Sequence, residues 1–116
     1  MDLFPECGRV LLYSQVTDLR KSINGLSLLV QEVLAENPVD GTAYIFCNRR
    51  RDKVKILVWD LNGFVLVYKR LEKGRFKISP VSEKVILENR HLRWFLDGLD
   101  WLSLPKRRKF SFQTYG

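Results

Sequence analysis

The chain has 116 residues, of which 46% are hydrophobic and 12% aromatic, and carries a formal net charge of +7. That length fits one domain able to bury roughly two-thirds of its unfolded surface, and the composition excludes a disordered chain. No stretch reaches the roughly 18 uncharged apolar residues of a membrane span, and the acidic start Met1-Asp2-Leu3-Phe4-Pro5-Glu6 lacks the apolar core of a signal peptide, so a cytoplasmic protein is expected.

In chain order, residues 9–13 (Arg-Val-Leu-Leu-Tyr) read as a short strand. Thr17 or Asp18 then offers a side-chain oxygen to the free N–H groups of a first helical turn. Leu19, Ile23, Leu26, Val30, Val33 and Leu34 follow at helical spacing, which predicts a long helix over residues 19–36. Gly25 either permits close packing there or divides the helix, and Asn37-Pro38 is expected to end it. Strands are predicted over residues 42–47, 53–60 and 64–71, with a short one over 75–78. Asn62-Gly63 is a strong hairpin signal, since both residues tolerate positive φ. A tight turn there would pair Trp59 with Leu66, Leu57 with Tyr68 and Lys55 with Arg70. One face of that hairpin carries Val54, Ile56, Val58, Val65 and Val67, and is the expected seat of the long helix. The other mixes Leu57, Trp59, Leu66 and Tyr68 with Lys55 and Arg70. A second helix is predicted over residues 88–99. The tail from Pro105 to Gly116, which includes Lys106-Arg107-Arg108-Lys109, is expected to be basic and flexible, leaving residues 1–104 as one domain.

Charge is uneven along this order. Residues 1–40 carry 3 basic and 6 acidic groups, residues 41–80 carry 10 and 3, and residues 81–116 carry 7 and 4. The basic excess therefore lies in the middle of the folding unit, which points to a polyanion, most simply nucleic acid. Arg49, Arg50, Arg51, Lys53, Lys55, Lys69, Arg70, Lys73, Arg75 and Lys77 are the candidates to grip phosphate, each neutralised phosphate releasing counterions.

Three segments carry a family resemblance. The first is Thr17-Asp18-Leu19-Arg20-Lys21-Ser22-Ile23-Asn24-Gly25-Leu26. The second runs from Gly41 and Phe46 through Asn48-Arg49-Arg50-Arg51-Asp52-Lys53-Val54-Lys55, Trp59-Asp60 and Gly63-Phe64 to Tyr68-Lys69-Arg70-Leu71-Glu72-Lys73-Gly74-Arg75-Phe76. The third is Leu92 with Leu96-Asp97-Gly98-Leu99-Asp100-Trp101. Across residues 5–102 the chain resembles the small accessory TnpB proteins of bacterial insertion sequences of the IS-66 type, which are unrelated to the RNA-guided nucleases of the same name. Leu19 and Asn24 depart mildly from the usual Met and Asp. The resemblance implies an accessory role in transposition beside a separate, larger transposase, and brings no catalytic residue with it.

Other features are read from the residues. Cys7 and Cys47, far apart and without paired Cys or His, are expected to be ordinary reduced thiols. Trp59 and Tyr68 could stack on unpaired bases, but their neighbours Leu57 and Leu66 favour an apolar layer beneath a helix. Arg20-Lys21, just inside a helix start, opposes the helix dipole, so Arg20 either pairs with an acidic group such as Asp18, reaches a phosphate, or stands exposed and tolerated. Asp60, Glu72, Asp97 and Asp100 invite a two-metal reading, but an antiparallel run of this length lacks room for the parallel-sheet nuclease core. His91 is expected on a helix surface rather than as a general base.

The expected fold is α+β: a single domain with an antiparallel sheet of four or five strands and one long and one shorter helix, packed mainly on one face. The expected function is non-enzymatic DNA binding, at insertion-sequence ends or target DNA, in company with the transposase and a further accessory protein. No cofactor, metal or membrane is expected. A protein-docking adaptor without DNA contact, and single-strand or RNA binding, are the alternatives.

Overall fold

A computed structural model of the chain describes residues 8–79 and 82–103. Strand β1 (Arg9–Val16) leads to helix α1 (Ile23–Glu32), strands β2 (Thr42–Cys47), β3 (Lys53–Asp60), β4 (Gly63–Arg70) and β5 (Lys84–Leu87), helix α2 (Asn89–Leu96) and a short 3-10 helix at Trp101–Ser103. The five strands form one sheet in the order β4-β3-β2-β1-β5. β1 and β2 are parallel, which requires a crossover, and α1 supplies it. Every other pairing is antiparallel. The cysteine Cys47 is a free, buried thiol, and Cys7 lies outside the described residues.

The central strands are apolar on both faces, so the sheet needs cover on both. All six residues of β2 are buried. Leu11, Tyr13, Tyr44, Phe46 and Leu57 pack with Leu26, Val30 and Leu34 of α1 and its following turn. Val10, Leu12, Ala43, Ile45, Val54, Ile56 and Val58 pack on the opposite face with Leu92 and Phe95 of α2, Trp101, and Phe76 and Ile78 from the segment after β4. The α+β class and the five strands agree with the expected sheet of four or five, which is antiparallel as expected except where the α1 crossover sets β1 parallel to β2. The two helices, however, lie on opposite faces rather than mainly on one, and α1 covers the Leu57 and Leu66 side, not the Val54 side. Period-two alternation identifies the faces of a hairpin, but when both are apolar it does not say which helix takes which.

Local differences have local causes. Helix α1 begins at Ile23 with Ser22 before it, not at Thr17 or Asp18. Asp18 instead closes a turn, accepting the Arg20 backbone N–H at 3.0 Å, while its carboxylate takes the Arg20 guanidinium at 2.7 Å. The helix runs through Gly25, whose missing side chain leaves room for Lys21; an added Cβ would lie 3.1 Å from the Lys21 Cβ. In the β3–β4 hairpin Asp60 faces Gly63, Trp59 faces Phe64, Leu57 faces Leu66 and Lys55 faces Tyr68. The turn therefore uses Leu61 (φ 59°) and Asn62 rather than Asn62 and Gly63. That register differs from expectation by two residues, an even shift, so every side chain keeps its predicted face. Residues 75–78 are an extended segment without a strand partner, and the fifth strand is β5, which pairs with β1.

Helix α2 ends in a Schellman motif: Gly98 takes φ 73°, the Leu99 N–H reaches the Trp94 carbonyl at 2.9 Å, and the Gly98 N–H reaches Phe95 at 3.0 Å. A Cβ on Gly98 would stand 3.1 Å from Leu71 Cδ1. Gly98→Ala is therefore expected to cost about 1–3 kcal/mol through backbone strain and this contact, read as a lower urea midpoint with an unchanged slope.

At the start of β1, Arg9 and Lys84 hold the Glu36 carboxylate at 2.8 and 2.9 Å. The Arg9 hydrogen bond first, and the Lys84 bond second, lower the Glu36 pKa below its ordinary 4.5. A depressed carboxylate stabilises the fold fully above its unfolded pKa and loses that contribution as pH falls through the folded one. Glu36→Gln should flatten the decline of stability between about pH 5 and pH 3, checked by urea titrations across that range.

Candidate nucleic-acid interface

The basic surface is assembled by the turn joining β2 to β3. Asn48 organises that turn. Its side-chain oxygen accepts the backbone N–H groups of Asp52 and Lys53 at 3.2 and 3.0 Å, and its amide donates to the Asp52 carboxylate at 2.8 Å. This is the local self-bonding that favours Asn and Asp in turns. That bond first, and Lys53 second, keep the Asp52 carboxyl below its ordinary range. Arg51 adopts φ 60° at the bend.

The turn is then bonded to the segment after β4. The Arg51 carbonyl accepts the Phe76 N–H at 2.7 Å, and the Asp52 carbonyl accepts the Leu71 N–H at 2.7 Å. The Arg51 guanidinium donates to the Ile78 carbonyl at 3.5 Å. From beneath, the indole N–H of Trp101 donates to the Lys77 carbonyl at 2.6 Å. Phe76 and Ile78 are buried, and Phe76 stacks on Phe95 with ring centroids 5.1 Å apart. In an extended segment, burying Phe76 and Ile78 turns Arg75 and Lys77 outward.

These bonds gather Arg49, Arg50 and Arg51 with Lys73, Arg75 and Lys77 on one rim of the sheet. Arg49, Arg50, Lys73, Arg75 and Lys77 are exposed and have no carboxylate within ion-pair distance among the described residues. Arg51 is partly buried and has the structural bonds just given. Lys53 and Arg70 stand at the same end of β3 and β4 but face Asp52 at 3.4 Å and Glu72 at 2.7 Å. Lys55 and Lys69 point to opposite faces. Lys55 donates to the Lys21 carbonyl at 2.8 Å, before α1. Lys69 donates to the Leu96 carbonyl at 2.6 Å, where a cation complements the negative end of α2. The ten sequence candidates thus divide into a rim of free cations and a set engaged within the fold.

Trp59 is half-buried and packs edge-on against Phe64 at 5.0 Å, while Tyr68 is 52% exposed. Tyr68 therefore lies outside the layer covered by α1. The carboxylates singled out from the sequence are dispersed: Glu72 pairs with Arg70, Asp97 lies 3.9 Å from Lys69, Asp100 accepts the Leu102 N–H, and Asp60 sits at the far end of the hairpin. Among the described residues no group of three or more His, Cys, Asp or Glu could hold a metal ion. Burial pushes the Cys47 thiol up to about 12, which leaves it a poor nucleophile. His91 is buried against Trp101 at 5.9 Å rather than on a helix surface, because α2 turns its His91-Leu92-Phe95 side to the sheet. No helix among the described residues is long and apolar enough to cross a membrane. The sequence reading missed Asn48 and Trp101 as the residues that position the rim; the signal for Asn48 was its place at the mouth of a short hairpin loop.

Asn48→Ala should destabilise the protein by about 1–3 kcal/mol, because the partly buried N–H groups of Asp52 and Lys53 lose their acceptor, whereas Arg49→Ala and Arg50→Ala should stay within about 0.5 kcal/mol of the parent. Chemical denaturation of the three variants checks this.

The family model described as "IS66 Orf2 like protein" matches residues 8–106. Two relatives from Sinorhizobium fredii (strain NBRC 101917 / NGR234) are similar over most of their length. The uncharacterized protein y4jC is 30% identical over 100 residues, covering 85% of this chain and 86% of its own. The uncharacterized protein y4hO is 37% identical over 95 residues, covering 80% and 82%. No solved structure matches the chain.

Proposed function

The chain belongs to the IS66 Orf2-like family of insertion-sequence accessory proteins, and we propose that in transposition it acts without catalysis, gripping DNA phosphates with the rim formed by Arg49, Arg50, Lys73, Arg75 and Lys77. The observation that carries this reading is the absence of carboxylate partners for these cations among the described residues, together with the bonds that fix them on one edge. Unpaired like charges held close repel one another, and a polyanion relieves that repulsion while releasing its own counterions. Contacts of this kind supply position and orientation rather than sequence readout. Insertion-sequence ends or target DNA are the ligands, and the transposase and a further accessory protein are the partners in the assembly.

The packing beneath the rim favours duplex over single strand. Phe76 and Trp101 are buried under the cations rather than presented between them, so the rim offers charge without a stacking platform. Tyr68 stands apart from the free cations, beside lysine and arginine residues that already have partners in the fold.

The experiment is a salt titration of binding to duplex insertion-sequence ends, beside scrambled duplex and single strand of equal length. Each phosphate contact contributes roughly 0.9 to the slope of log K against log salt, so the Arg49→Ala/Arg50→Ala variant should lower the slope by up to about 1.8 while folding normally. An unchanged slope and affinity in this folded variant would sink the DNA-gripping reading and favour docking on a protein.

A further inference from the structure

Strand β4 closes one side of the sheet and pairs with β3 alone among the described residues. It is eight residues long, Gly-Phe-Val-Leu-Val-Tyr-Lys-Arg, without proline. Phe64 to Val67 are half-buried on both faces and Tyr68 is 52% exposed. Edge strands are ordinarily protected by being short, bulged, proline-bearing or charged along their length, and a long apolar edge is a template for pairing with another strand. Its register with β3 is continuous from Lys53↔Arg70 to Asp60↔Gly63, so no bulge twists it away. By contrast β5, the opposite edge, is four residues long.

We propose that β4 is a homodimer interface, pairing antiparallel with β4 of a second copy so that two five-stranded sheets become continuous. The occupant follows from the strand's own polarity. Its two ends carry opposite charge: Asp60 stands at the turn where β4 begins, exposed and without a cation in ion-pair distance among the described residues, while the other end, where Lys69 and Arg70 already face Asp97 and Glu72, is cationic through the neighbouring rim residues Lys73 and Arg75. Antiparallel self-pairing sets the cationic end of each copy beside the acidic turn of the other. Parallel pairing would put like charges together. Centred on Leu66, the same arrangement places Phe64 opposite Tyr68 of the other copy and Val65 opposite Val67, so each face continues as apolar or aromatic cross-strand pairs. A two-fold axis satisfies both copies at once, as an isologous interface requires.

The dimer does not depend on the DNA reading, but the two meet in one consequence. The basic rim lies at the Arg70 end of β4, so antiparallel pairing directs the two rims to opposite ends of the joined sheet, roughly the 25 Å length of an eight-residue strand apart or more. A dimer of this form can hold two separate DNA segments.

Sedimentation equilibrium of the full chain, without DNA, at roughly 100 μM is the test; a species of twice the chain mass is expected, and a monomer at that concentration overturns the proposal. Tyr68→Lys puts a desolvated ammonium opposite Phe64 and should weaken association by roughly tenfold or more while circular dichroism and the melting curve stay unchanged, since Tyr68 is exposed in the single chain. A folded Tyr68→Lys that dimerises as before also overturns it. If that variant fails to fold, Leu66→Cys in a Cys7→Ser background decides. Oxidation should give a disulfide-linked pair, because the axis brings residue 66 against itself, and a dimer that does not cross-link uses another surface. DNA affinity plays no part in these readings, so loss of the dimer and loss of DNA binding are distinguishable.

Discussion

The structure depends on the bonding of one hairpin turn to one extended segment. Without the hydrogen bonds from Phe76 and Leu71 to the carbonyls of Arg51 and Asp52, the cations of residues 49–51 and those of residues 73–77 would belong to independent loops. Each loop would move its charges away from the other, since like charges within a Debye length of about 8 Å repel. The fold opposes that separation with groups that are not themselves free charges: two backbone carbonyls, the side chain of Asn48, and the indole of Trp101. Burial of Phe76 against Phe95 supplies the apolar contribution that fixes the segment in place.

This arrangement explains why so much of the third motif is far from the charged residues in sequence yet bears on them. Gly98 lets the chain reverse after α2 and lets Leu71 close in. The reversal delivers Trp101 beneath Lys77. Lys69, from β4, ties the end of α2 to the sheet through Leu96. The Asp-Gly-Leu-Asp-Trp run is thus the support for the basic rim, and the cations of the second motif are what it supports. Arg51 belongs to both groups: it has the residue type of the rim and the bonds of the support. Substituting it together with Arg49 and Arg50 would mix a folding defect with a loss of charge.

Much of the fold was legible in the sequence. Strands β2 and β3 were predicted with the bounds they have, because apolar runs there are bounded by charge and turn residues. The stripe Leu26, Val30 and Leu34 was read from helical spacing and is buried as one row. Arg20 does pair with Asp18, one of the options the sequence offered, but in a turn before α1 rather than at a helix start. What was not legible depended on tertiary context. The turn slipped to Leu61-Asn62, where the ladder closes on Gly63 despite a non-glycine at positive φ. Residues 75–78 have the alternation of a strand but find a helix and a turn rather than a ladder, and β5 is too short and too mixed to stand out. For the candidate site, charge clustering along the chain pointed to residues 49–55 and 69–77, of which the fold brings 49–51 and 73–77 together. It could not separate Lys69 or Arg51, which have partners within the fold, from Arg49 or Lys77, since a cation's partners are set by packing rather than by its neighbours in sequence.

The central claim is that the rim formed by the turn at residues 48–52 and the segment at 73–77 is the surface that meets DNA. An amide chemical-shift map of the full chain, titrated with duplex insertion-sequence ends at physiological salt, tests it most directly. The account predicts the largest shifts at Arg49, Arg50, Lys73, Arg75 and Lys77, with the exposed α2 side at Arg93 and Trp94 left unmoved. Shifts confined to that α2 side, or none anywhere while the protein remains folded, would contradict it.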